Sequence, residues 1–178
     1  LPIVIIGAGG VDYLIRDSPN YKLDEIGGET MFEGIDRVAI AVNDLDEAME
    51  RFSKLFKTTF HELPPSPEMG IRACYGSSGM ELVQSTNSDT ELGRTVAEKG
   101  EGLWALVYRV GDMDEGVKHL VSQGMRQIGE IRVGKMHEVI FHPKDAHGVM
   151  IALAAYPDIH PATVAIKTGY KEKGLYGL

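Results

Sequence analysis

Two β-rich runs stand out along the chain, Ile35-Asp36-Arg37-Val38-Ala39-Ile40-Ala41-Val42 and Leu103-Trp104-Ala105-Leu106-Val107-Tyr108-Arg109-Val110, and they align at a constant offset of 68 residues, Gly34 onto Gly102. Each run leads into Asp-x-Asp-Glu, Asp44 to Glu47 and Asp112 to Glu115. The first Asp can cap a helix and the Glu three positions on can complete a capping box, so both copies predict a helix start. The first helix would place Leu45, Ala48, Met49, Phe52, Leu55 and Phe56 on one apolar face. The second does so more weakly with Met113, Val117, Leu120 and Val121, and Gly124 supplies a C-terminal stop. Short strand-like runs follow each helix: Thr58–Leu63, Ile71–Tyr75 and Met80–Gln84, then Arg126–Ile131, Glu138–Phe141 and Val149–Ala154. Gly76-Ser77-Ser78-Gly79 and Pro143–Gly148 read as the matching hairpin connections.

Each half therefore reads β-α-β-β-β. The expected fold is α+β: paired βαβββ modules forming a curled mixed sheet around a central cavity lined by alternate inward-pointing residues. The pattern divides the chain into an N-terminal extension (1–33), a first module (34–85), a linker with a short helix near Thr90–Lys99 (86–101), a second module (102–157) and a C-terminal tail (158–178).

Composition narrows the function. The chain's 178 residues are 43% hydrophobic, enough for a real core. With 18 Lys plus Arg against 26 Asp plus Glu, the net charge of −8 argues against binding nucleic acid or an anionic membrane surface. The lone cysteine, Cys74, excludes an internal disulfide framework and fits a reducing, cytoplasmic setting. The apolar start Leu1–Ile6 is too short for a secretion signal. Gly7-Ala8-Gly9-Gly10 suggests a nucleotide-binding turn, but the third glycine of GxGxxG is missing.

The run Ile35–Val42, the segment Pro67-Glu68-Met69-Gly70-Ile71, Gly100-Glu101-Gly102-Leu103, Phe141-His142-Pro143-Lys144 and the strand Gly148–Ile151 leading to Tyr156-Pro157 occur in a telling order. Over about residues 34 to 157 the chain resembles the vicinal oxygen chelate superfamily, which includes glyoxalase I, extradiol dioxygenases, antibiotic-resistance proteins and methylmalonyl-CoA epimerase, with the epimerase branch the nearest likeness. The resemblance implies a divalent metal held by one residue from each of four strands. Those positions are Arg37, Glu81, Ala105 and Ala152 in this chain, and only Glu81 can be a ligand, since alanine has no donor atom and guanidinium no acceptor. It also implies two proton-moving carboxylates, whose positions fall on Ala73 and Ala152. The expectation is a site without metal or other cofactor.

Arg37 and Glu81 should both point inward and compensate each other's charge, either as a pocket-wall ion pair or with Arg37 acting on a ligand oxygen in place of the metal. Glu81 would orient Arg37 or accept a proton, and Tyr75 could donate one. Arg109, Ala105, Ala73, Ala152, His142 and Lys144 are the candidate substrate-binding residues; His142-Pro143-Lys144 resembles the epimerase loop near the thioester carrier, which implies Lys144 as a phosphate contact. Three functions compete: a metal-independent isomerase or lyase on a small carbonyl or acyl-thioester; a non-catalytic binding protein of the antibiotic-sequestering type, using Trp104; or a metal-dependent epimerase or dioxygenase with relocated ligands. Trp104 has the opposite strand parity to Ala105, which sets it beneath the helices. The expected partners are a carboxylate or CoA thioester and a second copy of the chain, as a homodimer.

Overall fold

The computed structural model describes residues 31–63, 69–76, 79–133 and 135–157. Residues 1–30, residues 64–68 with Pro67 and Glu68, Ser77, Ser78, Gly134 and residues 158–178 lie outside the described residues.

The elements run β1 (Phe32–Ala41), α1 (Leu45–Phe56), β2 (Phe60–Glu62), β3 (Ile71–Gly76), β4 (Met80–Ser85), α2 (Glu91–Lys99), β5 (Gly102–Val110), α3 (Met113–Ser122), β6 (Gln127–Val133), β7 (Met136–Phe141) and β8 (Met150–Ala155), with a 3-10 turn at Pro143–Asp145 between β7 and β8. One eight-stranded sheet takes the order β2-β3-β4-β1-β5-β8-β7-β6. The two βαβββ modules are thus side by side, joined by the antiparallel β1–β5 pair, with β1–β4 and β5–β8 parallel. β1 takes in Phe32 and Glu33, ahead of the module start that the sequence pattern suggests.

Both helix starts have the capping chemistry their sequence announces. The Asp44 carboxylate accepts the backbone N–H of Asp46 and Glu47, and Asp112 accepts that of Glu115. Gly124, with φ +88°, follows α3 in the left-handed region. α1 packs Ala48, Met49 and Phe52 on Val42, Leu45, Phe60, Cys74 and Leu82, and α3 packs Val117 and Leu120 on Val110, Met113, Val139, Phe141 and Leu153. The end of each apolar stripe departs from expectation: Leu55, Phe56 and Val121 are half or more exposed. For α1, the sheet ends in the three-residue edge strand β2, which leaves the last turn little surface to cover.

The opposite face of the sheet is built differently. α2 covers part of it, with Leu92 and Val96 on Ala41, Leu63, Ala73 and Val83. Toward the module seam the residues become small, Ala39 and Ala105 around Met150, then Val107, Ala152 and Ala154. Strand alternation places Arg37, Tyr75, Glu81 and Glu138 on this same inward face.

Candidate functional site

Arg37 holds three carboxylates. Its Nε donates to Glu81 Oε2 at 2.8 Å, one terminal nitrogen donates to Asp36 Oδ2 at 2.8 Å, and the other donates to Glu138 Oε1. Arg37, Glu81 and Glu138 are each less than a tenth exposed. The tyrosine ring of Tyr75, whose Cα pairs with Glu81, lies 5.6 Å from the guanidinium carbon. Tyr156 donates its hydroxyl to the second oxygen of Asp36, and Arg109 stacks over the Tyr156 ring at 4.2 Å while pairing with Glu33 at 2.9 Å.

The Arg37–Glu138 contact reports on the shape of the sheet. β1 and β7 are three strand spacings apart in the order β1-β5-β8-β7, about 14 Å on a flat sheet. Two side chains reach across that span because the sheet curls and because Val107, Ala152 and Ala154, the inward residues between them, are small.

Electrostatics follow from burial. Burial works against the charge of Arg37, but Tyr75 and the carboxylates of Glu138, Glu81 and Asp36 outweigh it and push the guanidinium above its ordinary value. Burial pushes the Glu138 carboxyl up, opposed by the charge and hydrogen bond of Arg37 and reinforced by its acidic neighbours Glu81 and Asp36. Tyr156 is pushed up to about 12 by burial and then by its hydrogen bond to Asp36. Cys74 is fully buried and pushed up to about 12, chiefly by burial, which makes it a core thiol and no nucleophile.

The structure brings together Arg37, Glu81 and Tyr75, and sets Arg109 at the rim through Tyr156. Ala73, Ala105 and Ala152 are buried on the inward face. His142 and Lys144 are not brought into the cluster: His142 is spent as the cap of the 3-10 turn, its Nδ1 accepting the Lys144 backbone N–H at 3.1 Å, and Lys144 is exposed. Sequence parity sets Trp104 beneath the helices that cover the outer face, and here the structure corrects it. Trp104 packs on the inward residues Ala39, Ala105 and Met150 and on the Ala41–Ala73–Val83 cluster, because a β-bulge displaces it: Ala105 faces Ala39 and Leu103 faces Ile40, leaving Trp104 the extra residue. Asp36 is the extra residue of a second bulge, between Ile35 and Arg37, and it too turns inward.

Asp36 and Glu138 were the residues that sequence patterns did not single out. Parity hides Asp36. Glu138 carries a signal, an acidic residue amid the apolar Val139-Ile140-Phe141 of a strand, but its partner is 101 positions away.

The internal repeat relates the two sides of this surface. The offset of 68 carries Arg37 onto Ala105, Ala39 onto Val107 and Asp36 onto Trp104. Glu81 pairs with Ala39 as Ala152 pairs with Val107, so Glu81 corresponds to Ala152. Tyr75 faces Glu81 as Ile140 faces Ala152, and Ala73 faces Val83 as Glu138 faces Ala154. Asp36, Arg37, Tyr75, Glu81 and Glu138 therefore correspond, one for one, to Trp104, Ala105, Ile140, Ala152 and Ala73. The polar members of the inward surface, four from the first module and Glu138 from the second, are matched by apolar residues at the equivalent positions.

Two surface clefts, about 290 and 440 Å³, flank Asn43 on either side of the β1–α1 turn, and neither is lined by a member of the charged cluster. No helix among the described residues is long and apolar enough to cross a membrane.

A curled mixed sheet of two βαβββ modules with polar groups gathered at its seam defines a class, and the chain belongs to the glyoxalase/bleomycin resistance protein/dioxygenase superfamily, whose family profile matches residues 36–141. It is similar to the mitochondrial methylmalonyl-CoA epimerase of Homo sapiens, 29% identical over 144 residues that cover 76% of this chain and 82% of that protein. Among solved structures, the methylmalonyl-CoA epimerase of Mycobacterium tuberculosis superposes with a TM-score of 0.65 at 28% identity, covering 74% of this chain and 93% of the other. A Streptomyces coelicolor methylmalonyl-CoA epimerase variant in complex with 2-nitronate-propionyl-CoA gives 0.64 at 26% identity, covering 71% and 99%.

The family resemblance implies a metal, and the residues at its four positions do not fit one. Ala105 and Ala152 have no donor atom, Arg37 is a cation, and Glu81 commits Oε2 to the Arg37 Nε–H. Asp36, Glu81 and Glu138 converge, but on the guanidinium. Among the described residues no group of three His, Cys, Asp or Glu side chains is disposed to hold a metal ion.

Proposed function

We propose that the protein is a metal-independent isomerase that moves a proton at the carbon next to the carbonyl of an acyl thioester. One observation carries this reading: at the seam a buried cation, Arg37, is ringed by Asp36, Glu81 and Glu138, one of them a carboxyl whose proton is held more tightly than usual. A guanidinium beside a developing enolate supplies positive charge without a metal, in a site where burial strengthens each interaction. A buried carboxylate with a raised pKa is a stronger base than an exposed one. The thioester class is supported by the epimerase relatives, one of them in complex with a CoA derivative.

The test is deuterium uptake from D₂O into the α-carbon of a panel of CoA thioesters, including methylmalonyl-CoA, by protein stripped of metal with chelator. Uptake by the stripped protein is the expected result. Uptake that appears only after cobalt, nickel, manganese or zinc is restored, or none with any thioester, overturns it.

Trp104 favours a second reading, sequestration of a small apolar ligand without turnover. It is the chain's single tryptophan and packs on the apolar inward residues Ala39, Ala105 and Met150. Ligands that quench its fluorescence and are released unchanged and undeuterated would establish that reading over the first.

A further inference from the structure

We infer that the cleft of about 440 Å³ between α1 and the start of β5 is a second small-molecule site, and that it takes a zwitterionic amino acid with an apolar side chain. No member of the charged cluster lines this cleft, so the inference stands apart from the acyl-thioester reading.

The floor of the cleft is apolar. Ile40 of β1 and Ala48 and Phe52 of α1 line it. Ala39 and Ala41 face inward, so alternation turns Ile40 to the outer face, where it packs against the cluster under α1. Leu103, whose Cα pairs with that of Ile40, is 53% exposed and carries the apolar surface on beyond the cleft. The volume lies within the range of small-ligand pockets, about 300–1,000 Å³.

The rim carries both signs of charge. Helix geometry sets Glu47 and Arg51 one turn apart in a row beside Ala48 and Phe52, and all four line the cleft. Glu ahead of a basic residue at this spacing is the order that favours an ion pair, and Glu50 and Lys54 on the same helix form one. Glu47 and Arg51 do not: neither side chain has an ion-pair or hydrogen-bond partner among the described residues. On the opposite wall Glu101 is anchored through Oε1, which accepts the Asn43 backbone N–H at 2.6 Å, and its other oxygen has no partner among the described residues. Asp44 also borders the cleft, but its carboxylate is committed to capping α1.

The ligand class follows from what these groups leave unanswered. A simple amine would suit Glu47 and Glu101 and leave Arg51 without a partner. A simple carboxylate would suit Arg51 and meet two like charges. An amino acid answers both: its carboxylate pairs with the Arg51 guanidinium, its ammonium is received by Glu47 and Glu101, and its side chain covers Ile40, Ala48 and Phe52. The charged contacts sit at an exposed rim, so each contributes selectivity of a few fold, and the apolar floor supplies the rest of the affinity.

The experiment titrates the full chain with L-phenylalanine and L-leucine by calorimetry and by amide NMR. The controls are 2-phenylethylamine, 3-phenylpropionate and glycine, which lack in turn the carboxylate, the ammonium and the side chain. Saturable binding of one equivalent is expected, with amide shifts at Ala48, Glu101 and Gly102, and every control should bind at least about threefold more weakly. Arg51→Gln should abolish the preference for phenylalanine over the amine, and Glu47→Gln should narrow the preference over phenylpropionate. Both side chains are exposed, so both variants should melt with the parent. Absence of saturable binding, shifts confined to other parts of the chain, or an amine that binds as well as phenylalanine overturns the inference. So does a preference that Arg51→Gln leaves intact.

Discussion

Asp36 and Trp104 occupy the same place in the two modules, each the extra residue of a β-bulge in the central β1–β5 pair, and each turned to the inward face. One ends on a guanidinium and the other on alanines. The bulge is thus a device the fold uses at both positions to aim a side chain into the seam. Asp36 links the buried cation to Tyr156, which in turn carries Arg109.

Replacing Asp36 by Asn should therefore be felt at Tyr156. Tyr156 is pushed up to about 12 by burial and by Asp36. A carboxylate beside a phenol opposes loss of the phenolic proton, so its removal should lower the Tyr156 titration midpoint, though not to that of free tyrosine, because burial remains. Ultraviolet difference titration of the parent, Asp36→Asn and Tyr156→Phe assigns the shift. An unchanged midpoint would place Asp36 outside the control of Tyr156.

Arg37 is the residue whose loss should cost most in stability. Arg37→Met keeps much of the side chain's volume but leaves Asp36, Glu81 and Glu138 buried without their cation. Breaking a buried pair by removing one partner costs about 3–5 kcal/mol, and urea unfolding at neutral pH should show a loss of that order. The deficit should shrink in acid, where the stranded carboxylates take up protons.

Glu138 has the opposite pH signature from an ordinary ion-paired carboxylate. Its proton is held more tightly in the folded than in the unfolded chain, so between the two pKa values the folded state binds more protons and stability falls as pH rises. The contribution is complete below the unfolded carboxyl pKa and is lost as pH climbs through the folded one. Glu138→Gln should remove that decline, so its urea midpoint should gain on the parent's with rising pH across the window above 4.5. Parallel midpoints at every pH would show that Glu138 is not held as described.

Much of the architecture was legible because it depends on short-range chemistry. Asp44 and Asp112 announce their helices through caps that operate within three residues, and the 68-residue offset exposes the duplication directly. The Arg37–Glu81 pair was legible too, since regular alternation on β1 and β4 sends both side chains inward. Alternation fails where its premise fails: one inserted residue reverses parity, which hides Asp36 and misplaces Trp104. Glu138 eluded pattern for another reason. Its meaning lies in the curl that brings β7 to β1, and nothing within a few residues of Glu138 encodes that.

Gly93 is a position where a favourable local preference should lose to packing. Alanine is the better helix former by about 1 kcal/mol, and Gly93 lies within α2. A Cβ there would sit 2.5 Å from the Asn87 carbonyl oxygen and 2.9 Å from the Ser88 Cα. Both are backbone atoms and cannot swing aside, so Gly93→Ala should destabilise the protein by about 1–3 kcal/mol. Gain of stability in a thermal melt would show that α2 is free to shift on the sheet.

If the missing donors alone keep metal from the seam, putting them back should create a metal site. Arg37→His and Ala105→His would place imidazoles at equivalent positions of β1 and β5, and Ala152→Glu would give β8 the carboxylate that Glu81 already gives β4. Removing Arg37 frees Glu81 from its ion pair at the same stroke. Four nitrogen and oxygen donors from four neighbouring strands suit a divalent first-row ion. The triple variant should take up one equivalent of cobalt with visible absorption and a raised melting temperature, while the parent shows neither. Addition of Glu138→Gln bears on one of the two nearby acids, Asp36 and Glu138, left outside the donor set. A triple variant that folds and ignores cobalt would show that the curl at this seam has drifted from metal-binding geometry, and that Arg37 fills a space the metal's four donors no longer surround.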